Sequence, residues 1–322
     1  MATLLKYFGG IDLSTLSKLM YYDLPTGSGT PATYDTGNFA GGTGSTDVIQ
    51  YITISTTGNA TDHGDLLTDG SFGGICSNGN QSRALLGGSW ITGANVTAID
   101  YWTIGTTGNA ADFGDMTVAR RRSAATSNKG NNRGVFAGGY VSAGVNTVDW
   151  VAISSTGNAT DFGDRTVASH SFGATSNGIG NRGVFMGGAS SNTNVIDYVN
   201  LMAGGNCTDF GDMSFSGGYN NSTSNQTNNR AISMGGAGQL NTIEYITITS
   251  TGNTTDFGDL TQGVNDPAAL SNGTSERGVR GGGYAGAGVN VIDYITISST
   301  GNATDFGDLL ASTYGNDGIS NS

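Results

Sequence analysis

Residues 291–309 read VIDYITISSTGNATDFGDL, and the same phrase recurs with small changes along the chain. Its copies close on Asp-Phe-Gly-Asp, once Asp-His-Gly-Asp, at 62–65, 112–115, 161–164, 209–212, 256–259 and 305–308. The leading Asp recurs at intervals of 50, 49, 48, 47 and 49 residues. A period near 50 marks one supersecondary unit copied around a ring or along an array, because a unit this short cannot bury its apolar face alone. Residues present in every copy serve the architecture, so a ligand would be read where the copies differ.

Each unit divides into four short strands. In the third copy these are 122–126 (RSAAT), 134–139 (GVFAGG), 148–153 (VDWVAI) and the segment around 161–164 (DFGD), separated by the turns SNKGNN and SSTGNAT. The third segment alternates apolar and polar residues with period two, the mark of a half-buried strand. A glycine pair ends the second segment at 41–42, 87–88, 138–139, 187–188, 235–236 and 282–283. Paired glycines at a strand end imply close backbone approach or positive φ.

Composition agrees with an ordered all-β chain. Gly makes up 55 of 322 residues without a Gly-X-Y period and with three Pro, which excludes collagen. Charged residues are 12% and the net charge is −12. Nucleic-acid affinity comes largely from Lys and Arg displacing counterions, so this balance argues against nucleic acid, and equally against an anionic membrane surface. A weakly charged surface of Asn, Thr, Ser and Gly suits neutral polar ligands such as glycans, and equally a plain solvated shell. Cys76 and Cys207 occupy different places in different copies, so no disulfide framework is implied. The start MATLLKYFGG lacks the features of a signal peptide, and no apolar run reaches a membrane span; the expectation is synthesis in a cytoplasm and release, if any, by lysis.

The runs 135–139 (VFAGG) and 184–188 (VFMGG), each followed by a spaced aromatic pair, resemble the kelch repeat. The first aromatic is Tyr51, Tyr101, Trp150, Tyr198, Tyr245 or Tyr294. The second, usually Trp in that family, is Phe113, Phe162, Phe210, Phe257 or Phe306, with His63 out of pattern. The resemblance covers nearly the whole chain and implies a β-propeller of four-stranded blades. Residues 4–10 (LLKYFGG) and Tyr22 read as second and third strands lacking a first, and 310–322 as a first strand lacking a successor. The expectation is therefore a single domain over 1–322, a seven-bladed propeller with one blade stitched from 1–30 and 310–322 and six continuous blades between. The alternative is six blades plus an N-terminal arm.

The acidic turns admit a calcium reading, but no copy places three carboxylates within five residues, and the simpler reading is a turn whose Phe packs between blades. Arg83, Arg133, Arg182, Arg230 and Arg277 share one register before the second strand and are candidates for inter-blade pairs with carboxylates, or for a solvated rim. Asn59, Asn158, Asn206, Asn253 and Asn302 match the glycosylation triplet and are read as turn residues. No cofactor or metal is implied. His63 and His170 stand in unlike places, no His/Cys cluster has zinc spacing, and no nucleophile motif is present, so no enzyme is expected.

In propellers of the kind resembled, the second-to-third-strand loops and the blade-to-blade loops share one face. Here these vary, including 89–93, 140–144, 284–288, 120–122 and a polar insertion over 214–229, whereas the STGNAT and Ser-Asn turns hardly change. Trp90, Tyr140, Tyr219, Tyr284, Arg120, Arg121, Arg122 and His170 are the candidate recognition residues, since loops carry recognition side chains. The phrase STGNATDFGDL is similar to repeats in virion proteins of marine bacteriophages. That likeness implies a structural protein of the tail or capsid surface, located on the virion and docked on other virion proteins, with a host-surface polysaccharide or receptor as ligand for host attachment. No membrane insertion is expected, since no apolar run is long enough to span. The alternatives are a free lectin-like or scaffold propeller and, further off, a propeller glycosidase.

Overall fold

The structure, a computed structural model, describes residues 35–43, 47–67, 70–91 and 93–322. It is an all-β propeller of six four-stranded antiparallel blades. Blade 1 takes Thr36–Ala40, Val48–Thr53 and Thr61–Asp65 from one end and Asp317–Ser320 from the other. Blade 2 holds Gly74–Ser77, Arg83–Ile91, Ala94–Thr103 and Ala111–Asp115, and blade 3 holds Ala124–Ser127, Arg133–Ala137, Val145–Ala152 and Thr160–Ser169. Blade 4 comprises Gly173–Ser176, Arg182–Gly188, Thr193–Asn200 and Thr208–Asp212. Blade 5 comprises Asn221–Ser224, Arg230–Met234, Thr242–Thr247 and Thr255–Asp259; blade 6 comprises Ala268–Ser271, Arg277–Gly281, Val289–Thr296 and Thr304–Thr313.

The blade count corrects the seven expected. The C-terminal strand Asp317–Ser320 pairs antiparallel with Thr36–Ala40, with Asn38 opposite Ile319, and so completes the blade that contains the first Asp-His-Gly-Asp. The first strands of the six blades touch one another in a closed circle around the axis, leaving no place for a seventh. The strands expected over 4–10 and around Tyr22 lie outside the described residues. Another correction concerns 214–229: it is not an insertion, because 221–224 forms the first strand of blade 5.

Three sets of six contacts close the ring, one contact per blade junction. On the axis, Ser77, Ser127, Ser176, Ser224 and Ser271 each donate their hydroxyl to the carbonyl of the preceding blade's equivalent Ser, and Ser322 donates to Ser271, at 2.6–2.9 Å. Farther out, the fourth strands lock to the next blade's STGNAT turn. Asn59, Asn109, Asn158, Asn206, Asn253 and Asn302 each accept the amide of the last Asp of the preceding blade's Asp-Phe-Gly-Asp at 3.0–3.2 Å. The intervening Gly has to be Gly: a Cβ on Gly163, at φ 145°, would stand 2.5 Å from the Gly205 backbone of the next blade. The leading Asp of each copy is exposed and its Phe is buried, with Phe113, Phe210, Phe257 and Phe306 edge-on to the third-strand Tyr at 6.0–6.2 Å.

The third set uses the five arginines in one register. Their junction role is as expected, but the partner is not a carboxylate. Arg83, Arg133, Arg182, Arg230 and Arg277 donate to the carbonyls of Ile153, Leu201, Ile248, Ile297 and Ile54 in the next blade at 2.9–3.1 Å. Each guanidinium also lies 4.2–4.6 Å from the centre of its own blade's third-strand aromatic ring. A carbonyl partner avoids desolvating a second charge, and the ring face adds cation–π attraction. Blade 1 has Thr36 at this register, and there His63 supplies the junction instead, its Nε2 lying 3.2 Å from the Ile104 carbonyl. The apolar core fills the spaces between blades; Val135, Val148 and Phe162 of blade 3, for example, pack with Phe185, Val199 and Leu201 of blade 4.

Candidate functional site

The second-to-third-strand loops and the blade-to-blade loops emerge together on one face, as Trp90–Ser71, Tyr140–Arg121 and Tyr284–Asn265 bridges between them show. Around the axis on this face runs a closed backbone ring. Phe72, Arg122, Ser171, Tyr219, Asp266 and Gly315, the equivalent residues of the six blade-to-blade loops, each donate their amide to the carbonyl of the preceding one at 2.5–3.0 Å. All six have left-handed backbones, with φ of 62°, 57°, 53°, 59°, 48° and 64°. Glycine takes this conformation most easily, and for other residues it costs on the order of 1–2 kcal/mol each. Gly occupies only one of the six positions, so the strain of the other five is retained with side chains as different as Phe, Arg, Ser, Tyr and Asp. Strained backbone of this kind concentrates at functional sites.

Arg122 crosses the axis to the opposite ring position, where its Nη1 meets the Asp266 carboxylate at 3.1 Å. The guanidinium also lies 3.8 Å from the Phe72 ring centre and 5.4 Å from that of Tyr219, and Nη1 donates to Ser171 Oγ at 2.9 Å. Burial outweighs this pairing and lifts the Asp266 carboxyl above its ordinary range. Beneath it, burial first and then Asp266 push the Asp317 carboxyl well up. Below the ring the channel is lined by the first strands and encloses about 90 Å³, room for a few waters. Lys129 lies at its far end, Nζ 3.3 Å from Ser77 Oγ, and burial lowers that amine to about 8.

A second group sits on the rim beside blades 2 and 3. The Arg121 guanidinium carbon is 3.9 Å from the Trp90 ring centre and 4.7 Å from that of Tyr140, so the cation lies between two aromatic rings. Arg121 Nη1 donates to Asn95 Oδ1 at 3.1 Å, and Asn95 Nδ2 ties down the Tyr140 and Val141 carbonyls. Tyr140 meets His170 edge-on at 5.1 Å. Burial, and then the charges of Arg122 and Arg121, lower the His170 imidazole to about 4. His170 Nδ1 lies 3.0 Å from Ser171 Oγ, which links the rim group to the axial one. On the other side Phe72 leads through Tyr314 at 6.1 Å to Tyr284 at 5.2 Å.

Trp90, Arg121, Tyr140, His170, Arg122, Tyr219 and Tyr284 thus form one connected surface. Arg120 does not belong to it. Its side chain is fully buried beneath the face, paired with Asp149 at 3.0 Å and donating to the Phe136 carbonyl. Sequence reasoning missed Phe72, Ser171, Asp266, Tyr314 and Asn95. The ring positions carry no repeated letter, so only their place just before the first strand could have marked them. Among the described residues no group of three or more His, Cys, Asp or Glu is placed to hold a metal ion. No protein-family model matches this chain, and no curated protein is similar to it.

Proposed function

We propose that this chain is a kelch-like display propeller of a bacteriophage particle, docked on other tail or capsid proteins and binding a host-surface glycan or receptor with its loop face. The observation that carries the binding part is the connected aromatic and arginine surface from Trp90 to Tyr284, held on a strained six-residue ring. The kelch-like part rests on the glycine pairs and spaced aromatics, and the virion part on the likeness of STGNATDFGDL to repeats of phage structural proteins. The opposite face, with its near-identical turns, is the docking side of this reading, near the blade stitched from both ends.

The test joins location to recognition. Mass spectrometry of purified particles should find the chain as a stoichiometric component. The double variant Trp90→Ala/Tyr140→Ala should lose binding to host cells while its melting temperature stays within a few degrees of the parent. Recovery of the chain only outside particles would instead favour a free lectin-like module, and unchanged cell binding would remove the face from the proposal.

A further inference from the structure

The five register arginines are each satisfied by a carbonyl, and Arg120, Arg122, Arg165 and Arg280 each by a carboxylate. Arg121 alone among the described arginines has neither; its one side-chain hydrogen-bond partner among the described residues is Asn95 Oδ1, through Nη1. Among the described residues nothing bonds Nε and Nη2, the other edge of the guanidinium fork. Trp90 and Tyr140 hold the plane of that fork from ring distances of 3.9 and 4.7 Å, so little side-chain freedom remains to be lost on binding. Trp90 itself is 38% exposed, an aromatic surface beside the cation.

The charges around this fork point one way. The chain carries a net charge of −12, yet Arg121 and Arg122 stand side by side here, and the Asp266 carboxylate is already used by Arg122. A free guanidinium edge matches a carboxylate bidentately, and an aromatic ring beside it suits the C–H face of a sugar. At physiological salt a charge is felt only within a Debye length of about 8 Å, so an acidic substituent at this fork responds chiefly to Arg121 and Arg122.

We propose that the rim site takes an acidic saccharide, with Arg121 seating a sugar carboxylate and Trp90 stacking on the same sugar ring. This rests on the glycan-binding reading above and narrows it to uronate-type ligands. The groups facing the site from each packed element are Arg121 and Arg122, His170, Tyr140 and, beyond Arg122, Asp266. A bound carboxylate would offset the charges of Arg122 and Arg121, which after burial lower the His170 imidazole.

The experiment uses the full chain and three polymers on one backbone: dextran, carboxymethyl-dextran and dextran sulfate. Carboxymethyl-dextran should bind at least about tenfold more tightly than dextran, with the advantage shrinking as salt is raised. Arg121→Gln should abolish that advantage at unchanged melting temperature, and Arg121→Lys, which keeps the charge without the fork, should restore only part of it. Glucuronate titrated against the protein should raise the His170 pKa in an NMR titration. Equal binding of dextran and carboxymethyl-dextran overturns the acidic-ligand proposal and leaves glycan binding standing. Preference for dextran sulfate over carboxymethyl-dextran overturns the carboxylate assignment. Undiminished binding by Arg121→Gln overturns the role of Arg121. If no polymer binds and glucuronate leaves His170 unmoved, the proposal and the glycan reading fall together.

Discussion

His63 Nε2 lies 3.2 Å from the carbonyl oxygen of Ile104, in the place that an arginine fills at the other five junctions. Two departures from the repeat, Thr36 for Arg and His63 for Phe, therefore compensate each other. His63→Phe alone should cost about 1–3 kcal/mol by leaving a buried carbonyl unpartnered. Adding Thr36→Arg, which returns both positions to the repeat, should recover most of that loss. A double-mutant cycle by chemical denaturation checks it, with a coupling energy of about 1 kcal/mol or more expected. Additive effects would mean that the two sites are independent.

Closure depends on the last six residues. Asn321 Oδ1 accepts the Thr36 amide at 3.0 Å, as Asn78, Asn128, Asn177, Asn225 and Asn272, after the other five first strands, each accept an amide five residues later at 2.7–2.8 Å. Removing 317–322 exposes the edge of Thr36–Ala40 and opens the serine circle. The shortened chain should lose cooperative unfolding and aggregate, since an open edge strand templates pairing. Asn321→Ala should fold and melt only a few degrees lower, as loss of one hydrogen bond implies. Scanning calorimetry with light scattering distinguishes the two outcomes.

Asp100 makes stability depend on pH in an unusual direction. Asp149, Asp197 and Asp293, at the equivalent third-strand position, each pair with a buried Arg. Asp100 has no ion pair among the described residues; its Oδ2 accepts the Leu67 amide at 3.1 Å. Burial, against the Leu67 bond and with a contribution from Asp112, raises its carboxyl from 3.8 to about 6. The folded protein therefore binds this proton more tightly than the unfolded chain, and the group's stabilising protonation is complete below 3.8 and lost as pH rises through about 6. Asp100→Asn should melt higher than the parent at pH 7–8, and the gap should close below about pH 4. A gap that stays constant across this range would rule the titration out.

The repeat was legible because its architectural residues are the same letters in every copy. The phrase ending at Asp305–Asp308 marks a fourth strand wherever it occurs. Blade number was marked too, by the Ser-Asn pair at the end of each first strand (77–78, 127–128, 176–177, 224–225, 271–272 and 320–321), though Ser191-Asn192 repeats the pair elsewhere and the strand-like segments at 4–10 and around Tyr22 pointed to an extra unit. The arginine register was visible, whereas its partner was not, because a carbonyl after the third strand leaves no trace in residue identity. Aromatics in loops located most of the loop-face surface. The ring of Phe72, Arg122, Ser171, Tyr219, Asp266 and Gly315 was hidden because what these residues share is a φ angle, not a side chain.

The blade junction offers a paired test of where glycine is indispensable. Gly157 and Gly163 have similar φ values, 155° and 145°, so an alanine at either is strained by a comparable amount. Their surroundings differ. A Cβ on Gly157 meets nothing within 4 Å, whereas one on Gly163 stands 2.5 Å from the Gly205 carbonyl group, whose amide bonds the Phe162 carbonyl at 2.9 Å. Gly157→Ala should therefore cost only the backbone term, about 1–3 kcal/mol. Gly163→Ala carries that term and must also push blade 4 away from blade 3, adding at least about 1–3 kcal/mol of overpacking and weakening the adjoining hydrogen bonds. Urea denaturation of the two variants should separate their midpoints clearly. Equal midpoints would mean that the Asp-Phe-Gly-Asp glycine is retained for its φ alone and that the approach of the neighbouring turn is not what selects it.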